Sequence, residues 1–567
     1  MPSTQGVQAT STLPNSVGLA RAQRLRLCWF AVAIALAGLR AWAAGHNNLY
    51  GTDGISNLEV GEAFFRGDWR LAMNGMWSPL YPVLFAGTVR LLHAGPWWEF
   101  VVQHWLNFAI FVAALFAFDR FWRQLTSWLQ DRGVSFDART CPTWAWTTLG
   151  YVLFLWATLE MIGIEDNDPD LSLAMIIYLL AALLLRMERG RASVATYLQF
   201  GLLLGLGYLT KAVMFPLAFV FLGAAFWARA RFGGALRRVS LSLVIFAVVA
   251  APFIASLSFQ LGRLTFSESG RLNYALHVNG VPMFWVPDVA ANGKTARPLT
   301  TIFTGPPVYA YPVKGDLTSL FADNPPLFYQ GLNTEFHLVR QLRVLATHAR
   351  WFLDQFAVRA GAVLVSFLVL CFAAGSFPWS ALRKFAILLL PSLVAMFLYA
   401  LVHCEARYIA PFFVLLWAPL FATLLLSPRR LPPRVFPAAV LAIAIGLAIP
   451  FAISTVTSVR LNAFDTEQWR VARGLRQMGV VPGESVAAVA DWNGWARMAR
   501  VHIAAEIPEQ DYDRFWRTAP AVQAQMLDAM AQAGAKAVVG RPAPSAAPRD
   551  WQRIGDTSFF AYIFARP

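Results

Sequence analysis

Long apolar runs separated by short polar breaks dominate the chain. A helix needs about 20 apolar residues to cross a bilayer. Runs near that length lie at 26–45, 98–122, 143–163, 170–187, 194–210, 212–228, 238–257, 351–375, 384–402, 408–426 and 434–456. They predict a mainly α fold, a polytopic membrane helix bundle of about eleven spans. A further apolar stretch, 79–94, is shorter, begins at Pro79 and contains Arg90 and His93, so it reads as a helix at the membrane interface or dipping part-way in. After 456 the pattern changes. Ser485–Asp491 and Lys536–Gly540 are short β-like runs, Ala521–Ala535 has a helix pattern, and Ser558–Phe564 reads as another strand. Residues 457–567 are therefore expected to form a small α/β domain.

Basic residues refine this picture. Arg21, Arg24 and Arg26; Arg120, Arg123, Arg132 and Arg139; Arg186, Arg189 and Arg191; Arg229, Arg231, Arg237 and Arg238; Arg383 and Lys384; and Arg429, Arg430 and Arg434 fall in alternate breaks between spans. The short loops of the other side carry only Lys211 and Arg407. The positive-inside rule then places residues 1–24 as a cytoplasmic tail, the core as 25–456, and 46–97, 258–350 and 457–567 outside. Counting 79–94 as a span would put the four arginines of 120–142 outside. The first apolar run is too long for a signal-peptide core, so it is read as an uncleaved helix. The expected location is the inner (plasma) membrane.

Composition agrees. Hydrophobic residues make up 57% and charged residues 14%, against about 25% charged in a soluble chain. The net charge of +15 would suggest nucleic acid in a soluble protein. Here it sits in loop clusters and reports orientation, so no nucleic-acid partner is expected. Cys28, Cys141, Cys371 and Cys404 are scattered, without metal-ligand spacing. There is no GxGxxG, so a nucleotide-sugar enzyme is not indicated.

Candidate chemistry gathers on the outer face. Asp53 follows the first span; it could cap a helix starting near Ile55, act as a catalytic carboxylate, or do both, since capping also fixes the side chain. Glu165-Asp166-Asn167-Asp168-Pro169-Asp170 places four carboxylates in six residues. This is either a solvated turn that caps the next helix or a cluster for an acceptor or a divalent cation. Lys211, Arg407 and Tyr408 stand at outer helix ends, where the cations could be snorkelling anchors or could hold an anionic lipid phosphate.

These motifs, in this order, resemble the GT-C superfamily of membrane glycosyltransferases, in particular the bacterial protein O-mannosyltransferase and lipid A aminoarabinose transferase type. The resemblance rests on Asp53, Gly67-Asp68-Trp69, Pro79-Leu80-Tyr81, Pro169-Asp170-Leu171, the turn from Gly205 to Lys211, and Arg407-Tyr408 with Pro411. It departs at Gly54, where many relatives have Glu, and at Ser78, where relatives have Pro. The resemblance implies a polyprenyl-phosphate sugar donor and inverting transfer to an acceptor hydroxyl on the outer face, the acceptor being a lipid, glycan or protein. Asp53 would be the general base, Lys211, Arg407 and Tyr408 would hold the donor phosphate, and Asp166, Asp168 and Asp170 would position acceptor or metal. No cofactor beyond that cation option is implied.

A lipid-linked glycan ligase or polymerase would share this outer-face site. A lipid or solute transporter would place charges in mid-span, usually within repeats, and neither is seen. Reporter fusions at residues 130 and 460 test the topology: the expected outcome is a cytoplasmic signal at 130 and an outer signal at 460, and an outer signal at 130 would break the scheme.

Overall fold

The structure, a computed structural model, describes residues 16–46, 51–136, 140–230, 232–281, 300–310, 318, 334–375, 377–427, 431–462, 467–490, 494–542 and 550–564. Residues 1–15 of the expected tail, Arg139, Arg231, Arg429, Arg430, Asp491 and, within the 258–350 loop, 282–299, 311–317 and 319–333 lie outside them.

Among the described residues, eight helices are long and apolar enough to cross a membrane: Arg21–Ala44, Glu99–Gln130, Thr143–Ile162, Asp170–Glu188, Ala235–Leu261, Trp379–Ala400, Ala406–Leu425 and Val435–Arg460. A ninth arises if Leu338–Arg359 and Gly361–Ala373, bent by 78°, make one span. The shortfall from eleven lies in Val194–Thr210 and Met214–Ala230, apolar helices of 17 residues each. At 1.5 Å per residue they rise about 26 Å, slightly less than the hydrocarbon thickness. Leu80–Leu91 has only 12 residues, in keeping with a helix that does not span.

Burial sorts the spans. In Thr143–Ile162 and Asp170–Glu188 the apolar stretch is 89% and 83% buried inside the protein, against 28% in Ala235–Leu261 and Val435–Arg460. The first two form the centre. Ala235–Leu261 leaves Phe259 almost bare and Gly361–Ala373 leaves Phe372 so, a surface suited to lipid. At one end of the bundle the basic breaks meet their acids: Arg26 grips Asp119 at 2.9 and 2.7 Å, Arg132 reaches Glu188 at 2.8 Å and Arg189 reaches Asp131 at 2.6 Å. Asp53, Asp166, Asp168, Asp170, Lys211 and Arg407 collect elsewhere, around the turn between the two central spans.

Beyond the bundle the described residues form one mixed sheet of seven strands: β1 (Thr300–Thr304), β2 (Pro307–Ala310), β3 (Ser485–Val489), β4 (His502–Ile507), β5 (Ala537–Gly540), β6 (Gln552–Arg553) and β7 (Phe560–Ile563), in the order β1-β2-β4-β3-β5-β7-β6. β3 runs parallel to β4 and β5. Successive residues of β3 serve opposite faces. Val486 and Ala488 pack with Val471, Leu475 and Trp495, while Ala487 and Val489 pack with Phe515, Met526 and Met530. Burial on both faces explains the unbroken apolar sequence of this strand. The expected strands and the Pro520–Gln532 helix are present. The β1–β2 hairpin comes from the 258–350 loop and pairs with β4 through Tyr309 and Ala310, so the sheet is not confined to residues 457–567.

The Gly51–Arg66 helix lies against Leu80–Leu91 at a distance only glycine permits. A β-carbon on Gly61 would sit 2.0 Å from the Pro82 carbonyl oxygen. Because that atom is backbone, the helices must part to admit it. Gly61→Ala is expected to destabilise the fold by about 1–3 kcal/mol, read as a lower thermal midpoint of the purified protein; an unchanged midpoint would show that the contact is not close in solution.

Candidate active site

The site is built around the link between the two central spans. Thr143–Ile162 ends in a π-helical turn, Trp156–Ile162, followed by Gly163 at φ 92°. A side chain there would be strained, and its β-carbon would meet the Asp166 carboxylate at 3.4 Å. Glycine lets the chain reverse at once, so Glu165–Asp170 folds back over the bundle end.

Neighbouring elements hold this turn. Asn107 Nδ2 donates to the carbonyls of Ile164 (3.0 Å) and Asp166 (2.7 Å). Its Oδ1 accepts from the Tyr81 hydroxyl at 3.0 Å, which in turn accepts from Gln103 Nε2 at 2.8 Å. The Pro79-Leu80-Tyr81 motif thus acts on the acidic turn at one remove. Asn57 Nδ2 donates to the Asn167 carbonyl at 3.2 Å, tying the Gly51–Arg66 helix to the same turn. Arg40 of the first span, 4% exposed, pairs with Glu165. Burial works to raise the Glu165 carboxyl, but Arg40 overrides it and holds the group below its usual range.

The remaining acids face two cations. Asp168 Oδ1 accepts from the Asp170 amide at 2.8 Å, and its Oδ2 accepts from Arg407 Nη1 at 2.5 Å. Asp170 accepts from Lys211 Nζ at 2.5 Å. Arg407 Nε donates to Glu405 at 2.6 Å and lies 4.0 Å from Asp170. Lys211 Nζ sits 3.8 Å from the Tyr408 ring centroid, a cation–π contact. The Tyr408 hydroxyl donates to Glu405 at 3.2 Å, and His403 Nε2 meets the same carboxylate at 3.0 Å. Burial pushes Glu405 up, yet His403 and Arg407 together bring it down to about 2. Arg407 is 9% exposed, which removes the snorkelling-anchor reading for it.

Asp53 stands differently. Its helix begins at Gly51 rather than near Ile55, so Asp53 lies in the first turn instead of capping it. There it gains from the helix dipole. Its backbone carbonyl accepts from Asn57 at 3.0 Å, and among the described residues its carboxylate makes no hydrogen bond. Burial pushes it up to about 6; Arg407 pulls it down while Asp168 and Glu405 add to the rise. Asp166 is also held well above its usual range, by burial and then by Asp168 and Glu165.

All seven residues expected from the sequence therefore gather in one place. The acids and the cations do not form two separate sets, however: Asp168 and Asp170 point onto Arg407 and Lys211. Among the described residues no three His, Cys, Asp or Glu side chains are disposed to hold a metal ion. Glu405 was missed, although an acid two residues before Arg407 was a usable signal. His277, whose ring stacks on His403 at 3.8 Å, had no signal in its own stretch.

No protein-family model matches the chain, and no curated protein sequence does. Among solved structures it is similar to ArnT from Cupriavidus metallidurans in the apo state, with 13% identity, coverage of 95% of this chain and 98% of that one, and a TM-score of 0.50. The same protein bound to undecaprenyl phosphate gives 13% identity, coverage of 96% and 97%, and a TM-score of 0.45. The Archaeoglobus fulgidus oligosaccharyltransferase in complex with Zn and sulfate gives 12% identity, coverage of 90% and 68%, and a TM-score of 0.46. The near end-to-end match to the first of these shows that the chain has the GT-C fold.

Removing one member of the Lys211–Asp170 pair strands a buried charge. Lys211→Ala is expected to cost about 3–5 kcal/mol of stability, and Lys211→Ala/Asp170→Asn to recover most of it, as measured by unfolding of the purified proteins. A single variant as stable as the parent would show that water already reaches Asp170.

Proposed function

We propose that the protein is an inverting membrane glycosyltransferase that moves a sugar from a polyprenyl-phosphate donor to an acceptor hydroxyl on the outer face of the membrane. The observation that carries this reading is Asp53. Its carboxylate is free of hydrogen bonds among the described residues, raised towards neutrality, and within the field of Arg407.

In this mechanism Asp53 takes the proton from the acceptor hydroxyl. The acceptor oxygen forms its bond to C1 as the bond from C1 to the phosphate oxygen breaks, with the electron pair leaving on the lipid phosphate. Attack from the opposite face inverts the anomeric centre. Arg407 and Lys211 stabilise the charge that grows on the leaving phosphate. Lys211 has three N–H donors and gives one to Asp170, so it can share itself between that acid and a phosphate. Asp168 and Asp170 aim the two cations, and Tyr408 lies beside both. Asp166, which keeps its proton to higher pH than an ordinary carboxyl, can donate to an acceptor oxygen. The fold supports this reading through its likeness to ArnT, a lipid A aminoarabinose transferase. The acceptor class stays open to lipid, glycan or protein. We place the protein in the plasma membrane with its N-terminus cytoplasmic and its C-terminal domain outside, where a flipped lipid-linked sugar is available.

The test is release of undecaprenyl phosphate from a panel of undecaprenyl-phosphate monosaccharides by the purified protein. Asp53 must be ionised to act as base, so the rate should rise with pH through about 6 and level off above it. Asp53→Asn should keep its fold and lose about two or more orders of magnitude in rate. Activity within a few-fold of the parent would remove Asp53 from the mechanism.

A further inference from the structure

The helix that carries Asp53 is gripped further along by the C-terminal domain. Arg497 lies in a short helix, Gly494–Ala499, after strand β3, and is 1% exposed. Its Nη2 is 2.7 Å from Glu62 Oε1 and 2.9 Å from Glu99 Oε1; its Nε donates to Glu99 Oε2 at 3.1 Å, and its Nη1 to Glu62 Oε2 at 3.2 Å. Glu59 Oε1 lies 3.5 Å from Nη1. Arg500 adds a second donor to Glu99 at 2.9 Å. Glu59 is fully buried and also accepts from the Thr318 amide at 2.8 Å, while the Thr318 carbonyl accepts from Ile503 of β4 at 3.0 Å. Four segments distant in sequence meet here: the Asp53 helix, the start of the Glu99–Gln130 span, the 258–350 loop and the C-terminal domain.

Apolar contact alone would dock the domain. Ile55, Leu58, Phe85 and Phe100 already form one cluster with Trp495 and Met498. Burying a guanidinium among three glutamates adds little net stability over apolar packing but is strict about geometry, because a planar fork binds carboxylates only in defined directions. Asp53 and Glu59 are six residues apart on one helix, about 9 Å along its axis. A shift of the helix at Glu59 and Glu62 is therefore passed to Asp53.

We infer that Arg497 is a positioning residue: by clamping Glu59 and Glu62 from the C-terminal domain and Glu99 from the bundle, it sets where Asp53 stands relative to Arg407 and Lys211. This rests on the reading of Asp53 as the base. The C-terminal domain is then part of the transfer machinery in every turnover, whichever acceptor is used.

Two full-length variants test it. Arg497→Lys keeps the charge and loses the fork; Glu62→Gln keeps the size, leaves Arg497 with Glu59 and Glu99, and serves if the first does not fold. Hydrogen–deuterium exchange over residues 51–66 and release of undecaprenyl phosphate from the monosaccharide panel are both measured. The expected result is faster exchange in that helix and kcat lowered about ten- to hundredfold, with donor KM within about twofold of the parent. Unchanged exchange overturns the clamp whatever the turnover; faster exchange with unchanged kcat, or a loss confined to KM, overturns its role in positioning. If Asp53→Asn is as active as the parent while Arg497→Lys is impaired, the base assignment fails and the clamp stands. If the parent releases no undecaprenyl phosphate at all, the transferase reading fails, and the exchange result alone upholds or overturns the clamp.

Discussion

One end of the bundle depends on neutralising the acidic turn between its two central spans. Glu165, Asp166, Asp168 and Asp170 are mostly withdrawn from water, and buried carboxylates must be paired or keep their protons. Arg40 from the first span, Lys211 from the turn after Val194–Thr210, and Arg407 from the start of Ala406–Leu425 each supply a cation. Three other parts of the bundle are thereby tied to one seven-residue link. Among the described residues Asp166 has no such ion-pair partner, and it stays neutral to higher pH instead.

The same arrangement separates roles among like groups. Asp168, Asp170 and Glu405 are committed to cations, so their charge is spent on orientation. Asp53 is left with the field of Arg407 but without its hydrogen bonds. Burial outweighs that field, so its affinity for a proton is higher than that of a free carboxylate. Two environments thus give chemically similar side chains different affinities for a proton, a pattern familiar from paired carboxylates whose surroundings push their pKa values apart.

A second buried charge cluster repeats the principle further out. Arg497 joins the C-terminal domain to the Gly51–Arg66 helix, beside an apolar cluster that both share. The Gly51–Arg66 helix is thus held along its middle from two sides: Asn57 donates to the acidic turn, and Glu59 and Glu62 meet Arg497 of the C-terminal domain. A side chain on a helix fixed in this way is placed more precisely than one on a free loop.

Much of this was legible in the sequence. Apolar runs of span length mark the helices because a bilayer imposes a length on each segment independently. The alternation of arginine-rich and arginine-poor breaks separated the two ends. The strands at 485, 537 and 560 were visible as short apolar runs, and Asp53, Asp166, Asp168, Asp170, Lys211, Arg407 and Tyr408 stood out as polar groups in outer loops. What the tertiary structure decided was who pairs with whom. Lys211 meets Asp170 across 41 residues, Arg407 meets Asp168 across 239, and Arg497 meets Glu99 across 398. It also placed the Thr300–Ala310 hairpin in the C-terminal sheet and put Gly61 against a backbone carbonyl. Hydropathy and turn chemistry act residue by residue and can be read locally; an ion pair or a close helix contact exists only once distant segments share the same space, and no local pattern records which segments those are.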